Sequence, residues 1–137
     1  MSSAYMSVPG LIASASLASH QYHVVSYTGT LRNVQEVADA DDTTEHPAGI
    51  LQNDPDTAGH AADVAFMGIC KAELGGTVNP GDWLGYNDDG ELIEDAANPA
   101  NQTNANNLYH LAQALEDGVD GDIIDVMVFP AALRGIE

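Results

Sequence analysis

Basic residues are what this chain has least of. Arg32, Lys71 and Arg134 stand against 21 acids, a formal net charge of −18 over 137 residues. Nucleic-acid affinity rests on Lys and Arg displacing counterions from phosphate, so neither DNA nor RNA is an expected partner. Anionic membrane surface is disfavoured for the same reason. The partners left are a basic or neutral protein surface, cations, or another copy of the chain. Self-association must then work against repulsion, which salt screens over a Debye length of about 8 Å at physiological ionic strength.

Cysteine is nearly missing too. Cys70 stands alone, so no internal disulfide exists and oxidative export is not implied. No apolar run approaches the roughly 20 residues of a membrane-spanning helix. The N-terminus has no basic residue before Arg32 and is broken by Pro9-Gly10, so it does not read as a secretory signal. The expectation is a soluble protein made in the cytoplasm. Hydrophobic residues make up 45% of the chain, enough for one domain with a packed core despite the charge.

Residues 1–19 are small and polar with scattered apolar side chains and no sustained period. An extended arm lying on another protein is the working expectation, and a frayed terminus fits the same composition. The arm's apolar residues, Tyr5, Met6, Val8, Pro9, Leu11 and Ile12, are then candidate contacts.

Residues 20–137 read as one β domain. Alternation runs from Gln21 to Tyr27, and Leu31–Val37 continues it. The acidic stretch 38–45 is a loop. His46–Leu51 is a short strand whose proline predicts a sheet edge. Ala62–Cys70 is a buried strand. Asn79-Pro80-Gly81-Asp82 is a type II turn leading into Trp83–Tyr86, and Asn87–Gly90 turns onto Glu91–Ile93. An Asn-rich loop spans 96–107. Leu108–Leu115 suits a helix face or a strand, with strand preferred, and Ile123–Phe129 is the clearest strand. Six to eight strands between turns predict a small all-β barrel or sandwich.

The search for chemistry returns little. Fitting Gly90 to the invariant glycine of an EF-hand loop puts Gly85 and Ala96 at ligand positions, and fitting Gly121 puts Met127 at the last, so calcium loops are not expected. His20 and His23 are spaced H-x-x-H, but the remaining histidines are isolated and Cys70 has no second thiol nearby, whereas zinc needs three or four converging ligands, so no zinc site is expected. Cys70 lies in an apolar run, where a free cysteine usually packs as a small hydrophobe. No G-x-S-x-G, P-loop, G-x-G-x-x-G or H-E-x-x-H motif occurs. Asn101-Gln102-Thr103 is a formal glycosylation sequon without a secretion signal to use it. Trp83 is expected as a core or interface anchor. No catalytic, cofactor-binding or metal residue is therefore predicted, and the chain is expected not to be an enzyme.

Three stretches carry a resemblance. They are Pro47-Ala48-Gly49-Ile50-Leu51 with the Asp-Pro and Ala-Gly turn after it; Gly76 through Leu84 followed by Asp89-Gly90; and Ala114-Leu115-Glu116-Asp117-Gly118 followed by Gly121 through Val126. Their joint order over residues 21–130 resembles tailed-phage head decoration proteins, also called capsid cement or head-stabilisation proteins. Each motif is turn chemistry plus alternating apolar residues, and the loops at 38–45 and 96–107 exceed the minimal pattern. The resemblance implies a small β-barrel or β-tulip fold with an extended N-terminal arm. It also implies a homotrimer on the capsid exterior at three-fold and quasi-three-fold positions, with the major capsid protein as partner and virion localisation. Two other readings stay open. One is a virion-surface host-attachment or carbohydrate-binding module, which would need an exposed aromatic platform. The other is a small hydrolase using Cys70 with a histidine.

Overall fold

A computed structural model describes residues 3–37, 46–94 and 109–133. These form ten β-strands and no helix: β1 (Ala4–Ser7), β2 (Ile12–Ala13), β3 (Val24–Tyr27), β4 (Asn33–Glu36), β5 (Pro47–Leu51), β6 (Val64–Glu73), β7 (Trp83–Tyr86), β8 (Leu92–Glu94), β9 (Tyr109–Ala114) and β10 (Ile123–Leu133). The all-β expectation holds, and the ambiguous segment is a strand over 109–114. The expected loops at 38–45 and 96–107, the sequon, Leu108 and Arg134 lie outside the described residues.

The strands make one sheet in the order β2-β4-β3-β5-β6-β10-β9-β7-β8, with β1 paired to β6 off that path. The expected barrel does not close. Leu74 N–H donates to the Asp122 carbonyl on the β10 side, so the N–H groups of Lys71, Glu73 and Gly75 point to the opposite edge. Closure would need one strand along that edge. Instead the three go to the Gln52 side chain, the Tyr22 carbonyl and the Leu92 carbonyl. β8 meets this edge through a single bridge, Leu74 to Leu92.

β5 is also not the edge strand its proline predicted. It lies between β3 and β6 with all five residues buried. Pro47 is tolerated because it opens the strand where the ladder with β3 shifts register. Pro130 sits in a similar break, between Val128 and Ala132, in the pairing of β10 with β9.

The segment read as an arm is woven into the domain. β1 pairs antiparallel with β6, and β2 pairs parallel with β4. Gly68 makes the first pairing possible: its φ is +111°, and a Cβ there would lie 2.8 Å from the Tyr5 Cα. Leu11, Ala13 and Leu17 are buried with Val25, Val34, Leu51 and Val64 in a core of their own. Small residues and missing periodicity therefore go with a chain that covers its own sheet in short pieces.

The main core holds Val24, Ile50, Cys70, Leu84, Tyr86, Leu111, Val126 and their neighbours. Around it the chain repeats itself at a constant offset, pairing Leu74 with Ala114, Val78 with Gly118, Gly81 with Gly121 and Trp83 with Ile123. Gly81 N–H donates to the Ala114 carbonyl at 2.8 Å, as Gly121 N–H does to the Leu74 carbonyl at 2.8 Å. Leu74 N–H to Asp122 O, at 2.8 Å, is matched by Ala114 N–H to Asp82 O at 2.9 Å. Val78 and Gly118 bond each other both ways, as residues on a local two-fold axis would. Gly81 and Gly121 both hold φ at +91°, a conformation that costs any residue with a Cβ.

Candidate docking face

The sheet formed by β1, β6, β10, β9 and β7 has two unlike faces, because side chains alternate along a strand and directly paired residues share a side. Cys70 pairs with Val126 and Ala72 with Ile124, and these point into the main core. The residues between them point outward. One outward row is fixed by register: Ala4, Ile69, Met127, Gln113 and Trp83. Beside it Met6 pairs with Met67, and the Phe129 ring lies 5.8 Å from that of Trp83. Met6 is 59% exposed, Met67 42% and Trp83 48%, while Ile69, Met127 and Phe129 are half-buried.

The next row is charged. Lys71 pairs with Asp125, and Lys71 Nζ lies 2.8 Å from Asp125 Oδ1. The hydrogen bond to Asp125 raises the Lys71 pKa against the opposing effect of desolvation. Its charge is thus already partnered at the rim of the apolar patch. On a surface otherwise crowded with carboxylates, this is a thioether-rich, aromatic-ended strip with no free cation among its described residues.

The residues expected as contacts divide. Met6 and Trp83 both lie on this face, and Pro9 is exposed elsewhere. Tyr5 is anchored: its hydroxyl donates to Asp63 Oδ2 at 2.6 Å, and burial together with that bond pushes its pKa up to about 12. Val8 packs on the second core, Leu11 is buried in it, and Ile12 is half-buried in β2. Met67, Ile69, Met127 and Phe129 were missed. They sit in runs read as continuous buried strands, yet the period of two in Cys70-Lys71-Ala72-Glu73 already assigned odd positions of β6 to the other face.

Cys70 faces the core, fully buried, and burial and then Asp125 push its thiol up to about 12. A nucleophilic thiolate needs the reverse shift. The H-x-x-H pair stacks edge to face with ring centroids 5.5 Å apart, but the two rings serve different carboxylates. His20 Nε2 lies 2.7 Å from Glu36, and His23 Nε2 lies 2.9 Å from Glu73.

No family model matches the chain, and no curated protein matches it in sequence. Among solved structures, the fold is similar to the N base of the head fiber protein gp8.5 of bacteriophage phi29. The TM-score is 0.52 at 11% identity, over 98% of this chain and all of that one. At that identity the likeness is one of fold.

Proposed function

We propose that the protein is a structural component of a tailed-phage head, a decoration protein bound outside the assembled capsid and reinforcing contacts between major capsid protein capsomers. The observation that carries this reading is a fold shared end to end with the base of a phage head fiber. The strip through Met6, Met67, Met127, Phe129 and Trp83 supplies the means. Aromatic and methionine side chains are enriched where proteins dock, and the charges depleted from such patches are missing here.

The occupant we assign to the strip is the shell, not a second copy. A second chain would bring another −18 against the first, whereas a neutral or basic shell would not. A ligand that binds only the assembled lattice stabilises it by mass action. Homotrimeric presentation, with contacts away from the strip and the repulsion screened by salt, would add avidity, since the second and third contacts become intramolecular. No catalytic role is proposed, in keeping with the buried, protonated Cys70.

Reconstruction of the virus particle encoding this chain tests the reading. We expect an extra β domain on the head exterior, grouped in threes, with the strip turned to the shell. Trp83→Ala should reduce head occupancy by about 30-fold or more, the loss of one hot-spot anchor, while leaving the melting temperature nearly unchanged. Bare heads, or a strip facing solvent, would sink the proposal. Glycan binding lost with Trp83 would favour host attachment instead.

A further inference from the structure

We propose that His23, Glu73 and Glu91 form a binding site for one divalent transition-metal ion of the zinc type, which ties the 87–91 turn to β6 and to the start of β3. The three side chains come from distant parts of the chain, and each offers a ligand atom within 4.8 Å of the others. Ligands on a tetrahedral zinc ion stand about 3.3 Å apart, from metal–ligand distances near 2.0 Å. Small side-chain rotations reach that arrangement, leaving a fourth position for solvent.

The hydrogen bonds around His23 point to a cation. Its Nδ1 lies 2.9 Å from the Asp89 carbonyl, which can only accept, so Nδ1 carries a proton. A neutral ring then presents the Nε2 lone pair, and that nitrogen faces Glu73 Oε1 at 2.9 Å, acceptor towards acceptor. Metal-bound histidines commonly donate their second nitrogen to a carbonyl in this way. His23 as a residue is 8% exposed.

Glu91 is held as well. Asn87 Nδ2 donates to its Oε1 at 3.1 Å, and Asn87 Oδ1 accepts from the Glu91 backbone at 3.0 Å. Gly75 makes room for this pair, since a Cβ there would lie 2.6 Å from Asn87 Nδ2 and 3.2 Å from Glu91 Oε1. Two carboxylates therefore converge on one imidazole within a chain already carrying −18. One imidazole with carboxylates suits zinc and its neighbours better than magnesium or calcium, which prefer all-oxygen shells.

The competing occupant is a proton, making His23 an imidazolium paired with Glu73. Full-length protein stripped with EDTA and titrated with ZnCl2 by calorimetry distinguishes the two, with melting temperature as a second readout. We expect one saturable zinc per chain, a melting temperature raised by zinc and not by equimolar MgCl2, and reversal by EDTA. Glu91→Gln should weaken binding at least about ten-fold, the smallest loss typical of disturbing a metal site. His23→Asn, whose amide can still donate to Asp89, should do the same. Asp56→Asn should bind like the wild type, since His60 and Asp56 form an exposed pair 3.4 Å apart. Should His23→Asn fail to fold, Glu91→Gln decides alone, because the His23–Glu73 pair survives it. No stoichiometric binding, equal binding by Glu91→Gln, or an equal response to magnesium would each overturn the site.

Discussion

The core around Cys70, Leu84 and Val126 and the core around Leu17, Val25 and Val64 are reached by different routes along the chain. The first is enclosed by strands whose turns recur at a constant offset, each Gly-Asp turn handing its carbonyls and N–H groups to the other. The second has no repeated unit. Leu11, Ala13 and Leu17 are laid over β3, β4 and β5 by a segment with two short strands, and Ala62 closes one side. A core made from a repeated unit fixes its own register locally. A core made from scattered pieces depends on every piece being present: the turn after Leu17 is local, His20 N–H to the Leu17 carbonyl, but Leu17 is placed by its own N–H bonding the Pro55 carbonyl far along the chain.

That contrast breaks most sharply at the N-terminus. Removing Ser3–Ser19 should abolish the cooperative melting transition, since it strips β1 from β6 and leaves Val25, Val34 and Val64 exposed on one side. Leu17→Ala isolates the effect: a fully buried leucine truncated in place costs about 2–5 kcal/mol. Denaturant unfolding measures it. A change below about 0.5 kcal/mol, the range of ordinary surface substitutions, would make the segment the detachable arm its composition suggested.

The main core has its own weak point, at alkaline pH. The Cys70 thiol holds its proton to about 12 when folded, against a reference value of 9.0. Between those values the folded state binds more protons than the unfolded one, so stability declines as pH rises. It should be intact below about pH 9 and fall progressively towards 12. Tyr5, raised from 10.0 to about 12, adds a loss of the same sign. Cys70→Ala should flatten the lower part of the decline and Tyr5→Phe the upper part, both read from urea midpoints across the range. An unchanged profile in Cys70→Ala would mean that the thiol is not the group responsible.

The twin turns allow a finer comparison. At Gly81 and Gly121 φ is +91° with open space where a Cβ would go, so Ala meets backbone strain and no clash. Each substitution should cost about 1–2 kcal/mol, and the two costs should agree. A gap larger than about 1 kcal/mol, within the spread of that estimate, would show that the equivalence is one of backbone trace only.

Much of this architecture is written locally, and that part is legible in the sequence. Val24–Tyr27, Pro47–Leu51, Trp83–Tyr86 and Ile123 onward are bounded by turn residues, and the structure places strands there. The extension of β6 through Lys71, Ala72 and Glu73 escapes notice, because charged residues on the exposed face of a strand look like its end. β1 and β2 escape entirely, since two to four residues carry no period and their places are fixed by partners far along the chain. The same holds for the sites. Trp83 and Met6 stand out singly, but the strip they bound emerges only when β1, β6, β10 and β9 lie side by side. The His23, Glu73 and Glu91 cluster has no spacing to recognise, because the curl of the sheet assembles it.

The smallest effect expected lies in the aspartates that close the twin turns, and it decides whether the repeat extends to side chains. Asp82 Oδ2 accepts the Asn79 N–H at 2.8 Å, and Asp122 Oδ2 accepts the Val119 N–H at 3.0 Å. The backbone bonds across each turn, Asp82 N–H to Asn79 O and Asp122 N–H to Val119 O, do not depend on either carboxylate. Alanine therefore removes one side-chain bond and leaves the turn's own bond in place, for a cost of about 0.5–1.5 kcal/mol each. Asparagine keeps an acceptor oxygen and should lose less. Because each carboxylate bonds within its own turn, the double alanine variant should equal the sum of the singles within about 0.5 kcal/mol, as independent sites do. A larger discrepancy would mean that the two turns form one cooperative unit about the Val78–Gly118 bridge. If one aspartate carries the whole effect, the symmetry stops at the main chain.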